Sequence, residues 1–241
     1  MKGAWVSDTS GVLGLGFPGL TSAYVGYDAT KDETNSIAHY PPILQTMFES
    51  DMVKPHQLTL AISRDASGMG NGGYLALGDP SSLLSNPELA IESSKTATVP
   101  IEVSDRFSSY AFYSVTVDQV LYTDTATEKH QYSLDCGSQY LFLHDYDTTH
   151  LTPLYTPAAK KDSSGLYTVP CNATAPKLSF RFGAVTIDIN PIDMIVADPQ
   201  LPNGTCFSAV QSEHITGRPI LGDTFFRNTV VIHDWDKMQM Q

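Results

Sequence analysis

Between two runs of apolar, β-prone residues, Tyr132-Ser133-Leu134 and Tyr140-Leu141-Phe142-Leu143, the chain places Asp135-Cys136-Gly137-Ser138. A carboxylate set between two buried strands is costly unless hydrogen bonds or a partner stabilise its charge. Gly137 permits a tight turn that aims backbone N–H groups at Asp135, and Ser138 offers a hydroxyl donor. An ordinary hairpin with Asp at its turn explains this stretch equally well on its own. The rest of the sequence has to decide between the two.

A chain of 241 residues, 41% hydrophobic and 17% charged, has the makings of one large packed domain or two modest ones. Its net charge of −12 argues against nucleic acid or an anionic membrane as the main partner. No apolar run approaches the length of a membrane span. Three cysteines are too few for a disulfide framework, yet Cys171 and Cys206 can form one bridge and leave Cys136 free. Closing a loop of that length would stabilise the fold by about 3–4 kcal/mol. Asn172-Ala173-Thr174 and Asn203-Gly204-Thr205 are candidate glycosylation acceptors beside those cysteines. Together these features point to the secretory route, with an extracellular or vacuolar/lysosomal destination. The first residues carry no secretory apolar core, so the expectation is that the front of the protein is missing.

Along the chain, Val12-Leu13-Gly14 reads as an apolar strand ending in a glycine-rich turn. Gly14, Gly16 and Gly19 also have dinucleotide-fingerprint spacing. Pro18, sitting where that motif's helix should start, and the lack of a following βαβ unit rule the reading out. Residues Ile37 to Val53 read as a helix, and Leu58 to Ile62 as a half-buried strand. The loop Gly68-Met69-Gly70-Asn71-Gly72-Gly73 leads into the strand Tyr74 to Leu77, and Asp79 to Thr98 reads as a linker. From Val99 the pattern is β: Ile101 to Val103, Tyr110 to Val117, Val120 to Tyr122, the pair around Asp135, Lys177 to Phe182, Val185 to Ile189, Cys206 to Val210 and Val230 to Asp234. Pro219 to Arg227 reads as a strand end turning into a short helix. The class is mainly β.

Six stretches, in order, make the chain resemble the pepsin family of aspartic endopeptidases. They are Gly11-Val12-Leu13-Gly14-Leu15-Gly16, Gln45-Thr46-Met47-Phe48-Glu49, Gly72-Gly73-Tyr74-Leu75-Ala76-Leu77-Gly78, Val115-Thr116-Val117, Leu134-Asp135-Cys136-Gly137-Ser138 and Ile220-Leu221-Gly222-Asp223-Thr224-Phe225. The resemblance implies a bilobal β fold in which each lobe gives one catalytic Asp to a cleft. Asp135 would be the second-lobe carboxylate, with Cys136, Gly137 and Ser138 its loop and Ile220-Leu221-Gly222 the segment threaded beside it. Val12-Leu13-Gly14 would be the first lobe's copy of that segment. Asp135 lies 87 positions before Gly222, so the same spacing puts the first catalytic Asp upstream of residue 1. The chain is therefore expected to be a pepsin-like fold with an incomplete first lobe: residues 1–98 a remnant with its linker, residues 99–241 the second lobe. Asp8-Thr9-Ser10-Gly11 is no substitute for the missing loop, because its glycine comes one position late and Val12 is next in line.

Two carboxylates at close range share a proton and hold a water between them, one acting as general base and the other as acid. The resemblance implies acid-optimal hydrolysis of internal peptide bonds in a polypeptide substrate, without a cofactor, by a monomer once the missing half is restored. A lone Asp135 would leave this chain inactive. Position 136 normally carries Thr or Ser, and Cys136 offers only a weak donor. With Gln139 in place of a smaller residue, it supports an alternative: a non-catalytic pseudoprotease that binds peptides or proteins. A homodimer supplying Asp135 twice is a third reading, obstructed by the retained first-lobe piece. The seven histidines show no metal-ligand spacing, and His144 and His150 around Asp145-Tyr146-Asp147 read as a solvated loop. No Gly-x-Ser-x-Gly elbow occurs, and Cys136 has no histidine near it in sequence to make it a nucleophile.

Overall fold

The computed structural model describes residues 12–21, 23–26, 28–33, 36–63, 72–89, 91–92, 95–105, 107–122, 127–198, 201–202 and 204–241. The Asp8 to Gly11 stretch, the Gly68 to Asn71 part of the glycine-rich loop and Asn203 lie outside them. The first hundred residues carry β1 (Ala23–Tyr24), β2 (Ile37–Ala38), α1 (Ile43–Glu49), β3 (Gln57–Ile62), β4 (Gly73–Leu77), α2 (Ser81–Leu84) and β5 (Val99–Pro100). Beyond these lie β6 (Tyr113–Val117), β7 (Gln119–Leu121), β8 (His130–Leu134), β9 (Leu141–Leu143), α3 (Asp145–Leu151), β10 (Lys160–Lys161) and β11 (Tyr167–Pro170). Next come β12 (Leu178–Phe182), β13 (Val185–Ile189), β14 (Ile195–Val196), β15 (Thr205–Ser208) and β16 (Val210–Ser212). The chain closes with β17 (Ile220–Leu221), α4 (Asp223–Phe226), β18 (Val230–Asp234) and β19 (Gln239–Met240).

One five-stranded sheet positions the site, in the order β16-β9-β17-β8-β6. Short β17 lies between the two strands that flank the Asp135 loop, parallel to β8 and antiparallel to β9. A second five-stranded sheet, β4-β3-β18-β19-β5, joins strands from both ends of the sequence. Its centre is the antiparallel pair of β18 with β3, from Val230–Ala61 to Asp234–Gln57. The hairpin β12–β13 shows the period-2 logic plainly. Leu178, Phe180 and Phe182 are buried while Ser179 and Arg181 are less so, and Gly183, at φ +60°, makes the turn that L side chains resist. One continuous core runs under the sheets through Val115, Tyr132, Leu141, Phe180, Leu221 and Phe225.

Several local readings are corrected by the structure, among them Ile101 to Val103, which is no strand but a single bridge from Glu102 to Ser114. The helix expected over Ile37 to Val53 is confined to Ile43–Glu49, and Ile37–Ala38 is a strand instead. Pro41-Pro42 forbids a helix through it, because the residue before a proline is driven out of the α region. Pro42 itself is the N-cap, with ψ 163°, and Leu44 and Phe48, four apart, are the face α1 buries. Val12-Leu13-Gly14 is not a strand, and Val12 and Leu13 are exposed. Cys206 to Val210 is divided between β15 and β16, which belong to different sheets. Asp145-Tyr146-Asp147 is not a solvated loop but the first turn of α3, with Asp147 only 1% exposed.

Candidate active site

Asp135 leaves the end of β8 and is fixed first through its backbone. Its N–H donates to Leu221 O at 3.1 Å, so the threaded strand holds the residue's main chain directly. Gly137 N–H donates to Oδ1 of its carboxylate at 2.9 Å and Ser138 Oγ donates to Oδ2 at 3.0 Å. With one donor on each oxygen the carboxylate is held in a single orientation. The need for glycine at 137 is spatial. Its φ is not positive, but a Cβ there would stand 3.1 Å from Asp135 Oδ1.

The loop is closed from behind by the residues after β17. Asp223 N–H donates to Ser138 O at 2.7 Å, and Thr224 donates to Gln139 O through N–H at 3.3 Å and Oγ1 at 2.9 Å. Gly222 is obligatory at this crossing: a Cβ there would collide with the carbonyl oxygens of Ser138 and Tyr140. Tyr140 leaves the loop and packs its ring edgewise against Phe142 and Phe207. Burial pushes its hydroxyl up to about 12.

Asp223 is the second carboxylate in this neighbourhood. Its Oδ1 is buried without a hydrogen-bond partner among the described residues. Burial is the main cause that lifts its carboxyl to about 6; the Asp135 charge adds to it and Arg227 opposes it. The same carboxylates act on Cys136, the free cysteine of the loop. Desolvation, then Asp135 and Asp223, hold its thiol above the ordinary value, which is the reverse of what a thiolate nucleophile needs.

The structure thus brings Asp135, Gly137, Ser138 and Ile220-Leu221-Gly222 into one constellation. It leaves Val12-Leu13-Gly14 out of it. Two cavities, of about 850 and 480 Å³, flank the second sheet, and neither is lined by Asp135. Asp223 and Thr224 entered the sequence analysis only as part of the Ile220–Phe225 stretch, with no role at the site. The signal was present in the Leu-Gly-Asp-Thr step, where a strand end meets a helix start and exposes backbone donors. Cys171 and Cys206 are bridged, tying the turn after β11 to β15. Asn172 is exposed in that turn. Among the described residues no group of three or more His, Cys, Asp or Glu could hold a metal, and no helix is long and apolar enough to cross a membrane.

A mainly β architecture, with an Asp-Cys-Gly-Ser loop braced by a threaded Ile-Leu-Gly segment, defines the class as pepsin-like. The family model for eukaryotic aspartyl proteases matches residues 2–241, and the chain belongs to that family. It is 31% identical to a probable aspartic-type endopeptidase of Aspergillus fumigatus over 98% of this chain and 54% of that protein. It is 27% identical to the aspartic protease pepA of Leptosphaeria maculans over 95% of this chain and 48% of that protein. Penicillopepsin-2 of Penicillium janthinellum is 29% identical over 53% of this chain and 32% of its own length. The chain spans about half the length of the first two of these relatives.

Proposed function

We propose that this chain contributes one catalytic carboxylate, Asp135, to an acid-acting aspartic endopeptidase. The second carboxylate belongs to a complementary half outside the described residues. In this reading residues 1–98 are the later part of the first lobe with its linker, and residues 99–241 are the second lobe. The observation that carries it is the clamp on Asp135, with a donor on each oxygen and the threaded segment on its backbone. Such a clamp holds one carboxylate in place while a water is polarised between it and a facing partner. Gly137 N–H and Ser138 Oγ fix the orientation of the Asp135 carboxylate towards the water it would share with a facing acid. The substrate is an unfolded polypeptide, and the chain alone does not turn over. The Cys171–Cys206 bridge and the exposed Asn172 support an oxidising, glycosylating compartment.

The test is to assay the purified chain on a denatured protein near pH 3–4, alone and co-refolded with the first half of the Aspergillus fumigatus relative. A transition-state peptide inhibitor serves as control. The expected result is no inhibitable cleavage alone and inhibitable cleavage in the mixture, abolished by Asp135→Asn. Cleavage by the chain alone that Asp135→Asn removes would overturn the need for a second half. A well-folded mixture that never cleaves would overturn the protease reading.

A further inference from the structure

The two strands joined by the Asp135 loop end, at the far side of the sheet, in two histidines that touch. His130 opens β8, His144 comes directly after β9, and their ring centroids are 3.8 Å apart with the planes inclined by 36°. His144 Nδ1 lies 3.0 Å from Oε1 of Glu213, the residue after β16. Tyr132, on β8, presents its ring edge to His144 from 5.8 Å. Its hydroxyl is fully enclosed beside the His144 backbone. From the end of β7, Tyr122 donates its hydroxyl to Asp147 Oδ1 on α3 at 3.2 Å. Asp145 at the start of α3 accepts from Ser212 Oγ at 3.2 Å and lies 3.6 Å from His214 Nε2. His150 completes the α3 side, its Nδ1 2.7 Å from Tyr146 O.

We infer that the touching His130–His144 pair is an acid-sensitive latch: in contact at neutral pH it holds the outer ends of β8 and β9 against α3, and it releases them when both rings carry protons. One added proton is accommodated, because Glu213 and Asp147 both face the pair. A second puts two cations at ring-contact distance, where their repulsion is large and poorly screened. The direction of titration agrees. Burial above all, and His130, hold His144 below its ordinary value against the upward pull of Glu213 and Asp147. A histidine depressed in the fold contributes stability that is present above its ordinary value, near 6.5, and is lost as pH falls below it. Asp147 does not reverse this, since burial holds its carboxyl above the usual range and weakens it as a counter-charge on acidification. The latch is independent of catalysis. It would sense the passage from neutral to acid in an active or an inactive chain.

Amide exchange on the full chain, read by mass spectrometry at pH 7.5 and pH 5.0 and corrected for intrinsic rates, tests it. Protection in segments 130–134 and 141–151 should fall at least tenfold at pH 5.0, while segment 178–189 stays unchanged. His130→Phe keeps the ring contact and removes the second cation, so its loss should shrink below threefold. His130→Gln serves if that variant fails to fold. An unchanged wild type, or an equal loss in the variant, overturns the latch. An independent check needs no substitution: the His144 imidazole should titrate below its ordinary value by NMR, and a midpoint at or above that value refutes the latch.

Discussion

Two stretches of this chain share the pattern of two apolar residues and then a glycine, and their surroundings are opposite. Ile220 and Leu221 are 2% and 0% exposed, and Gly222 is pressed against two carbonyl oxygens. Val12 and Leu13 are 85% and 59% exposed, and nothing among the described residues lies within 4 Å of a Cβ at Gly14. The first stretch is a strand because β8 and β9 supply hydrogen bonds on both its edges. The second has the same propensity and no ladder to join among the described residues, where it is irregular. A short apolar segment does not specify a strand; the loop it threads does. The contrast is in keeping with the proposed complementary half, since no strand among the described residues pairs with Val12-Leu13-Gly14. The bare stretch is not loose at its far end, however. Leu15 O accepts from Tyr113 Oη at 2.6 Å, and Phe17 stacks on Trp235 at 4.6 Å.

The sharpest way to break the comparison is to add one methyl group to each glycine. Gly222→Ala must displace the carbonyls of Ser138 and Tyr140, which are backbone and cannot rotate away. We expect a loss of at least about 4 kcal/mol, in the range reserved for severe core or backbone conflict. Gly14→Ala should stay within about 0.5 kcal/mol. Urea denaturation of the two variants decides it, and equal losses would mean that the glycines share one structural role.

The two leucines form the next pair. Leu221→Ala removes a fully buried side chain from the centre of the core and should cost about 2–5 kcal/mol. Leu13→Ala, at a largely exposed site, should cost less than about 0.5 kcal/mol in this chain. Co-refolding with a complementary half sharpens the comparison. If Leu13 then becomes buried, the penalty at Leu13 should rise towards that at Leu221; a penalty that stays flat would count against the proposed pairing of halves.

How much of this was legible in the sequence depended on where the information lay. The Asp135 loop could be read because every part of it is local: two β-prone runs, a carboxylate, and donors two and three residues later. The β12–β13 hairpin was legible for the same reason, through strict alternation and Gly183. The bridge between Cys171 and Cys206 was legible from their spacing and the two glycosylation patterns beside them. The expected helix over Ile37 to Val53 is too long at both ends, because Pro41-Pro42 is its entry and nothing before that pair can be helical. The α3 helix was missed because its inward face is polar. Asp147, Thr148 and Thr152 are buried there beside Leu151, and two of their partners come from distant chain: Tyr122 for Asp147 and Gln211 O for Thr148. Periodicity of apolar residues cannot report a face that is hydrogen-bonded rather than greasy. The role of Asp223 was hidden likewise, since its backbone N–H bond to Ser138 spans 85 positions.

The smallest expected effect concerns the carboxylate that only one of the two stretches carries. Gly222 leads into Asp223, whose carboxyl is lifted to about 6 in the fold from an ordinary 3.8. A carboxyl raised on folding favours the native state while it holds its proton. Its contribution is present below about pH 4 and is lost as pH rises through about 6. The shift corresponds to an upper limit of about 3 kcal/mol, which solvent screening at this partly exposed site reduces. Because the histidine pair changes stability in the opposite sense over part of this range, the useful quantity is a difference. The stability of the wild type minus that of Asp223→Asn should fall between pH 4 and pH 7, and a flat difference would refute the assignment. Asp135 is one cause of the lift, so Asp135→Asn should move the midpoint of that fall to lower pH. If the midpoint does not move, the two carboxylates are not coupled, and the loop and the segment behind it act only through their backbone bonds.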